Sequence, residues 1–275
     1  MNPRRVAILI DGGFFLHRLP KIVGEANCTS PEEVARWIFR MCRAHIQDIV
    51  GEQEAPARWL QHVYRIFYYD AIPYEGKSHH PILNRTIDYS TSDQAQFRRA
   101  LFDALKKQRK VALRLGKVTR EGDWTLPNHR MKKLLATQAW LAGLNFSDPA
   151  EPLVLTPEQR TEAQRLKKLW MDIRPNEIFL LLRQKGVDMR IGLDISSIAL
   201  KKQADTIVLV SGDSDFVPAA KLARREGMEI ILDPLWQNVH DDLFEHIDGL
   251  HSGLWRRRSS EAIREDDANE NQGEV

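Results

Sequence analysis

Short apolar runs that end in aspartate are the feature that most constrains how this chain folds. VAILI (6–10) is followed at once by Asp11, and TIVLV (206–210) is followed three residues later by Asp213. Runs of about five aliphatic and β-branched residues, bounded by turn residues, are typical of strands that are buried on both faces. The two runs therefore predict core strands, each with a carboxylate near its carboxyl end.

Segments with helical spacing of apolar residues lie between such runs. The pattern predicts further strands over 59–73, 110–120 and 228–234, and helices over 31–50, 92–108, 156–173, 189–203, 216–227 and 238–248. Strands that alternate with helices indicate a parallel sheet with crossover connections. With 275 residues, the chain is long enough for one large domain or two small ones.

The composition excludes several classes of protein. Hydrophobic residues make up 43% of the chain, and no apolar run approaches the roughly 18 residues that a membrane span needs. The apolar stretch near the N-terminus is too short for a signal peptide. The two cysteines, Cys28 and Cys42, have no zinc-ligand spacing. We therefore expect a cytoplasmic protein with reduced cysteines and no membrane partner.

The domain organisation expected from the sequence is one main domain over 1–250. A less regular stretch, around 75–175, reads as an insertion into that domain. Residues 251–275 are polar and largely acidic, a composition that predicts a disordered tail.

Positive charge is concentrated in one segment although the whole chain has a net charge of only +2. Residues 98–133 carry twelve Lys and Arg against three Asp and Glu, a local net charge of +9. Such a segment suits a polyanionic partner. The alternative interpretation is a solvated helix face with no partner.

Aspartates at the ends of three predicted strands are the candidate chemical site. They are Asp11, Asp70 and Asp213, with Asp215 two residues further on and Asp194 on the helix that precedes the last of these strands. Ligand sites in open parallel sheets form beyond the carboxyl ends of the strands. Clustered carboxylates repel one another unless a cation binds between them, and oxygen ligands suit Mg²⁺ or Mn²⁺. A divalent metal site is therefore predicted there.

Each aspartate also has a simpler interpretation. Asp215 is placed to cap the helix from 216, Asp188 to cap the helix from 189, and Asp11 to occupy a turn before Gly12 and Gly13. Asp188 and Asp194 are six residues apart, which is roughly 240° around a helix, so both cannot face one metal ion. The chain contains no phosphate-binding GxxxxGK[ST] loop, no GxGxxG and no GxSxG.

Two stretches of the chain resemble a known family. AILIDGGFF (7–15) and QKGVDMRIGLDISSIALKKQADTIVLVSGDSDFVPAAKLARREGMEIIL (184–232) look like the NYN domain family, in its LabA-like branch of the PIN-like nucleases. The resemblance implies an α/β fold, a PIN-like three-layer α/β/α sandwich with a central parallel sheet. It also implies a metal-dependent ribonuclease. The catalytic and metal-binding acids of the family fall on Asp11, Asp194, Asp213 and Asp215.

What the resemblance implies about mechanism is metal-assisted hydrolysis of a phosphodiester with Mg²⁺ or Mn²⁺. Single-stranded RNA is the expected substrate. Substrate-binding positions are then Lys185, Ser211, Ser214 and Asp70. Phe14 stands where members of the family often carry asparagine.

Two other functions stay open at this point. The first is a non-catalytic RNA- or protein-binding module on the same fold, which Phe14 favours. The second is a small-molecule phosphatase or phosphotransfer enzyme, although position 13 is glycine and the first strand therefore lacks a DxD pair. A homo-oligomer or a protein partner is compatible with either.

Overall fold

The computed structural model describes residues 4–51, 58–144 and 154–255. A central sheet of seven strands runs in the order β6, β5, β2, β1, β7, β8, β9. Parallel pairs join β1 to β2 and to β7, β2 to β5, β7 to β8, and β8 to β9. The strands are β1 (Val6–Asp11), β2 (Val63–Ile72), β5 (Val111–Thr125), β6 (Phe179–Lys185), β7 (Thr206–Val210), β8 (Glu229–Asp233) and β9 (Gly249–Leu250).

The described residues form nine α-helices. They are α1 (Gly12–Val23), α2 (Pro31–Val50), α3 (Asp93–Lys106), α4 (Asn128–Leu135), α5 (Gln138–Ala142), α6 (Pro157–Met171), α7 (Val187–Leu200), α8 (Val217–Arg225) and α9 (Asp241–Phe244). None of these helices is both long and apolar enough to cross a bilayer, and only the described residues bear on that statement.

Alternation along the strands divides the core into two clusters. Ile8 and Ile10 pack with apolar residues of α1, α2 and α3 on one face of the sheet. Ala7 and Leu9 pack with α7, α8 and α9 on the other. Since successive side chains of a strand point to opposite faces, one apolar run feeds both clusters. The sheet with a helical layer on each side confirms the predicted α/β/α sandwich.

The chain divides into two compact units. The first contains Met1–Tyr74, Ser90–Val118 and Gln184–Val275, and the second contains Glu75–Tyr89 and Thr119–Arg183. The predicted insertion around 75–175 overlaps the second unit, but residues 90–118, which include α3, belong to the first. Residues 256–275 of the predicted tail lie outside the described residues, so the prediction of disorder there stays a prediction.

The second unit contains an antiparallel hairpin of β3 (Lys77–His80) and β4 (Arg85–Asp88). His80 is 2% exposed, and its Nε2 lies 3.1 Å from the carbonyl oxygen of Pro175. Its Nδ1 accepts hydrogen bonds from two turn amides, and its ring packs on Trp124. The sequence analysis did not predict this hairpin. His80 is a structural residue of the second unit.

The ends of several elements differ from the predictions. Gly12 and Gly13 are the first residues of α1 rather than a turn, because Asp11 caps the helix directly after β1. The last predicted helix, 238–248, shrinks to α9, and β9 follows it. α2 keeps its predicted bounds, since Ser30 and Glu33 form a reciprocal capping box and Pro31 occupies its first turn.

Candidate functional site

Asp11 joins the end of β1 to the start of α1. Its Oδ1 accepts a hydrogen bond of 3.0 Å from the backbone amide of Phe14. The close passage of the chain there requires Gly12, because a Cβ at that position would lie 2.6 Å from Cζ of Tyr68 and 2.6 Å from the carbonyl oxygen of Tyr69. The aspartate is thus held at the carboxyl edge of the sheet, with little freedom to move away.

Asp213 and Asp215 follow β7, the strand next to β1 in the sheet. The Oδ1 of Asp213 accepts from the amide of Asp215 at 3.0 Å, which starts the short 3₁₀ turn Ser214–Phe216 ahead of α8. Asp213 therefore has the capping role that the sequence suggested for Asp215. Asp215 and Ser214 are exposed at the start of that turn.

Asp188 lies in the first turn of α7, two residues after Gly186, which has a φ of 76°. Burial raises the pKa of Asp188, and the negative charges of Asp213 and Asp215 raise it further. Burial raises the pKa of Asp11 to about 6, with the charges of Asp188 and Asp70 also acting to raise it. These interactions connect Asp11, Asp188, Asp213 and Asp215, which we refer to as the acidic cluster.

The acidic cluster carries uncompensated negative charge. Within the part of the chain that the structure describes, none of its four carboxylates forms an ion pair with Lys, Arg or His. Carboxylates that raise one another's pKa are stabilised by a cation. All-oxygen ligands suit a hard ion such as Mg²⁺ or Mn²⁺.

The structure does not place several side chains for direct coordination of one metal ion. Among the described residues there is no group of three or more His, Cys, Asp or Glu placed to hold a metal ion. Mg²⁺ commonly keeps several waters and uses only one or two protein carboxylates. The donor set therefore fits a hydrated divalent ion and does not form an all-protein cage.

Asp194, a predicted metal ligand, has partners of its own outside the acidic cluster. Its Oδ2 accepts from Nε of Arg114 at 2.9 Å and from the hydroxyl of Tyr69 at 2.8 Å. Burial and the Asp194 carboxylate raise the pKa of Tyr69, which keeps that hydroxyl a donor. Asp194 thus connects α7 to β2 and β5, and its charge is balanced there.

Asp70, predicted to contact substrate, is fully buried near the end of β2. It forms an ion pair with Arg98 of α3 and accepts from the amide of Ala71 at 2.7 Å. Burial raises its pKa although Arg98 acts against that rise. Among the described residues, the Oδ2 of Asp70 and the hydroxyl of Tyr68 have no hydrogen-bond partner. Asp70 is therefore paired inside the protein, and its carboxylate is not exposed to a substrate.

The other predicted substrate-binding residues differ in accessibility. Ser211 is fully buried, and its hydroxyl accepts from the amide of Asp213 at 3.2 Å, so it supports the turn. Ser214 and Lys185 are exposed, the latter at the end of β6. Only these two are placed where a substrate could contact their side chains.

The basic segment 98–133 is distributed over α3, β5 and α4, in both units of the chain. Several of its cations already have partners. Arg98 pairs with Asp70, Arg114 with Asp194, and Arg130 with Glu177. The segment therefore offers less free positive charge than its sequence indicates.

Asp188 belongs to the acidic cluster, although the sequence pattern was interpreted as a helix cap there. Gly186 is the N-cap residue, and the Asp188 carboxylate interacts electrostatically with Asp213 and Asp215. Asp188 follows β6 by three residues, and the sequence pattern did not predict that strand. Which side of α7 carries which aspartate is likewise absent from local sequence patterns.

The fold and the strand-end aspartates together define a class. A mostly parallel sheet between two helical layers, with carboxylates beyond the ends of its strands, is the architecture of an α/β protein of the PIN-like type. The family model of the NYN domain matches residues 160–246, so the chain contains a NYN domain, which is a nuclease-type domain. Comparisons with curated proteins and with solved structures gave no match.

The matched segment includes Asp188, Asp194, Asp213 and Asp215, whereas Asp11 lies outside it. The tertiary structure brings Asp11 to the same edge because β1 pairs with β7 in parallel. The LabA-like branch, named from the resemblance, stays a prediction.

Proposed function

We propose that the chain is a divalent-metal-dependent ribonuclease that hydrolyses phosphodiester bonds of single-stranded RNA at the acidic cluster. The observation that carries the proposal is the cluster itself. Four carboxylates, on β1, on α7 and on the turn before α8, lie near enough for their charges to interact, without a cationic partner among the described residues, in a chain that contains a NYN domain. Uncompensated charge of this kind is expected where a cation and a phosphate bind.

Asp11, Asp188 and Asp213 would hold Mg²⁺ or Mn²⁺, directly or through water. When bound, such an ion lowers the pKa of a water and stabilises charge on phosphoryl oxygens. The pKa of about 6 leaves the Asp11 carboxylate mostly ionised at neutral pH and therefore able to bind a cation. We assign Asp188, in place of Asp194, because the Asp194 carboxylate is already balanced by Arg114.

The remaining residues of the site have roles in binding and orientation. The carboxylate of Asp215, which is exposed, would accept a hydrogen bond from the attacking water. The exposed Ser214 would donate from its hydroxyl to a phosphate oxygen. Lys185 would contribute positive charge near the phosphate backbone of the RNA. Salt would weaken this binding, as it weakens most phosphate contacts.

The two cysteines fit the expected compartment. Cys28 and Cys42 are both free in the structure, which supports a reducing environment such as the cytoplasm.

The test is cleavage of an end-labelled single-stranded RNA in Mg²⁺, in Mn²⁺ and in EDTA. We expect wild-type cleavage in a divalent metal and none in EDTA. Asp188→Asn should lower the rate at least about a hundredfold, because a ligand of the ion is lost. Asp194→Asn, six residues away on the same helix, should retain activity within about threefold. Asp103→Asn, an exposed acid of α3, is the control.

Two outcomes would contradict the proposal. Loss of cleavage in Asp194→Asn with full activity in Asp188→Asn would show that the wrong face of α7 has been assigned. A folded wild-type protein that cleaves no RNA in either metal would exclude the ribonuclease under these conditions.

A second candidate is an RNA-binding module without cleavage. Phe14 favours it: a Cβ on Gly212 would lie 2.8 Å from Cε2 of Phe14, so an apolar ring occupies the space next to Asp213. That ring cannot orient water. Binding of single-stranded RNA by wild type with no product in any metal would support this function.

A further inference from the structure

The loop after β8 has an unusual backbone. Leu235 and Trp236 are consecutive residues with positive φ values of 47° and 62°. Residues other than glycine adopt such values rarely, and a tryptophan there is unfavourable. Strained backbone persists only where the surroundings hold it, and it tends to occur at binding and catalytic sites.

A buried network holds this loop in place. The two oxygens of the Asp233 carboxylate accept from the amides of Leu235 at 2.8 Å and Gly253 at 3.0 Å. Oδ2 of Asp233 also lies 2.8 Å from Nε2 of the buried His45. Arg18 donates from Nε and Nη2 to the carbonyl oxygen of Leu235, at 3.1 and 2.8 Å. The network thus fixes the loop and the segment around Gly253 relative to each other.

The network presents two indole rings beside a groove. The groove has a volume of about 520 Å³, and Trp236, Gln237, Asn238, Ser252 and Trp255 are among its lining residues. Trp236 is 46% exposed, yet its Nε1 donates to the carbonyl oxygen of Leu254 at 2.6 Å, so the exposed ring is held in place. Trp255 is 90% exposed. Two exposed tryptophans beside one groove indicate a binding surface.

The polar lining of the groove is also available. Gln237 and Asn238 are exposed, and their side-chain amides make no hydrogen bond within the described part of the chain. Aromatic planes together with free amide donors and acceptors are the chemistry that binds unstacked nucleobases. An apolar peptide would use the rings and leave both amides without partners.

The side chain of Gln237 connects the groove to the turn that carries Asp213. A Cβ on Gly212 would lie 2.7 Å from Nε2 of Gln237, which places that amide one residue from Asp213. A nucleotide whose phosphate lies at Asp213 therefore has this groove as its immediate neighbour.

We propose that the groove lined by Trp236 and Trp255 binds an unstacked base of the same single-stranded RNA whose phosphate lies at the acidic cluster. The proposal rests on the proposed function, since the position of that phosphate comes from it. The rings stack on the base, and the amides of Gln237 and Asn238 contact its edge. The groove thereby gives the enzyme a preference for single strands, because bases in a duplex are not free to enter it.

The test is the binding of a fluorescein-labelled single-stranded RNA of about ten nucleotides, followed by anisotropy in EDTA. An oligonucleotide of the same length without bases is the matched ligand. We expect Trp236→Ala and Trp255→Ala each to weaken RNA binding roughly tenfold, as expected for loss of a stacked base. Neither variant should change binding of the abasic strand. Trp170→Ala, which removes a 58% exposed tryptophan of α6, should bind as wild type does.

Trp255→Ala decides the matter if Trp236→Ala alters the fold, because the Trp255 side chain is almost fully exposed. Trp255→Phe should recover much of the lost affinity, since a phenyl ring also stacks. Wild-type affinity for RNA in Trp255→Ala would overturn the proposal. So would an equal loss for the RNA and the abasic strand, which would indicate a charge or folding effect, or a groove that serves a protein partner.

Failure of this proposal and failure of the proposed function give different results. If Asp188→Asn abolishes cleavage while the tryptophan variants bind RNA normally, the ribonuclease stands and the base subsite is wrong. If the wild type cleaves no RNA, but the variant Trp255→Ala loses base-dependent binding, the base subsite stands and the ribonuclease is wrong.

Discussion

At the scale of single residues, the ionised form of Asp11 is disfavoured in the folded protein. Burial and neighbouring carboxylates raise its pKa from 3.8 to about 6. Above pH 6 the carboxylate is ionised in both the folded and the unfolded state, and the buried charge destabilises the folded state. Below pH 4 it is protonated in both states, and the penalty is absent. Stability therefore falls as the pH rises from about 4 to about 6.

Asp11→Asn should remove that penalty. The asparagine oxygen can still accept from the Phe14 amide, so the cap of α1 is kept. We expect the variant to be more stable than wild type by roughly 1–3 kcal/mol at pH 7 without metal, and equal to it near pH 4. Urea unfolding in EDTA at the two pH values measures this. An equal difference at both pH values would mean that the charge of Asp11 is not the cause.

The pair of Asp70 and Arg98 gives a second prediction at this scale. Asp70 is fully buried, and the Arg98 side chain is 18% exposed. Arg98→Met should destabilise the fold by roughly 3–5 kcal/mol, because it leaves a buried carboxylate without its partner. The double variant Arg98→Met with Asp70→Asn should recover much of that loss. Chemical denaturation of the four proteins forms a double-mutant cycle, and additive effects would show that the two residues do not interact.

At the scale of elements, α7 presents two aspartates with opposite roles. Asp194 connects the helix to β2 and β5 through Tyr69 and Arg114, whereas Asp188 belongs to the acidic cluster. Removing a balanced charge and removing a repelled charge should have opposite effects on stability. The two positions can therefore be compared by the stability of their variants, without an activity assay.

Asp194→Ala should therefore lower stability by about 1–2 kcal/mol, since it leaves the Tyr69 hydroxyl without its acceptor and the partly exposed Arg114 without its ion pair. Asp188→Ala should leave stability unchanged or raise it slightly at pH 7 in EDTA. Thermal unfolding of both variants provides the measurement. The same sign and size of change in both would remove the basis for assigning Asp188 to the site.

The elements also show where sequence reasoning succeeds. α2 and α3 begin at serine caps that the sequence displays, and β1 and β7 are apolar runs too short for a helix. The β3–β4 hairpin has neither a strong apolar pattern nor a characteristic turn, since KSHH and RTID are polar. Its formation depends on contacts such as that of His80 with Pro175, which are remote in the sequence.

At the scale of the whole molecule, a cation should couple to folding. The acidic cluster unites β1, α7 and the turn before α8, so it exists only in the folded state. A ligand that binds only that state stabilises it by about 2.7 kcal/mol at a hundred times its dissociation constant. We expect Mg²⁺ or Mn²⁺ to raise the unfolding temperature of wild type.

The variant Asp188→Asn should lose most of this stabilisation, whereas Asp194→Asn should keep it. Scanning calorimetry over a series of metal concentrations, with Ca²⁺ for comparison and salt held constant, separates binding from general screening. An equal rise in both variants would place the cation outside the acidic cluster.

The sequence by itself determined the layered α/β architecture of the first unit and three of the four carboxylates of the acidic cluster. Apolar runs and helical periodicity are local patterns. Asp11 follows the apolar run of β1 directly, and Asp213 and Asp215 follow that of β7 by three and five residues. Parallel pairing then brings the strand ends to one edge without further information.

Only the tertiary structure decided which aspartate of α7 faces that edge, that Asp70 is buried against Arg98, and that Trp236 and Trp255 border one groove. The physical reason is the same in each case. The rotation of a helix about its axis, the burial of a charge and the position of a loop are set by contacts between residues far apart in the chain. Local sequence patterns carry no record of those contacts.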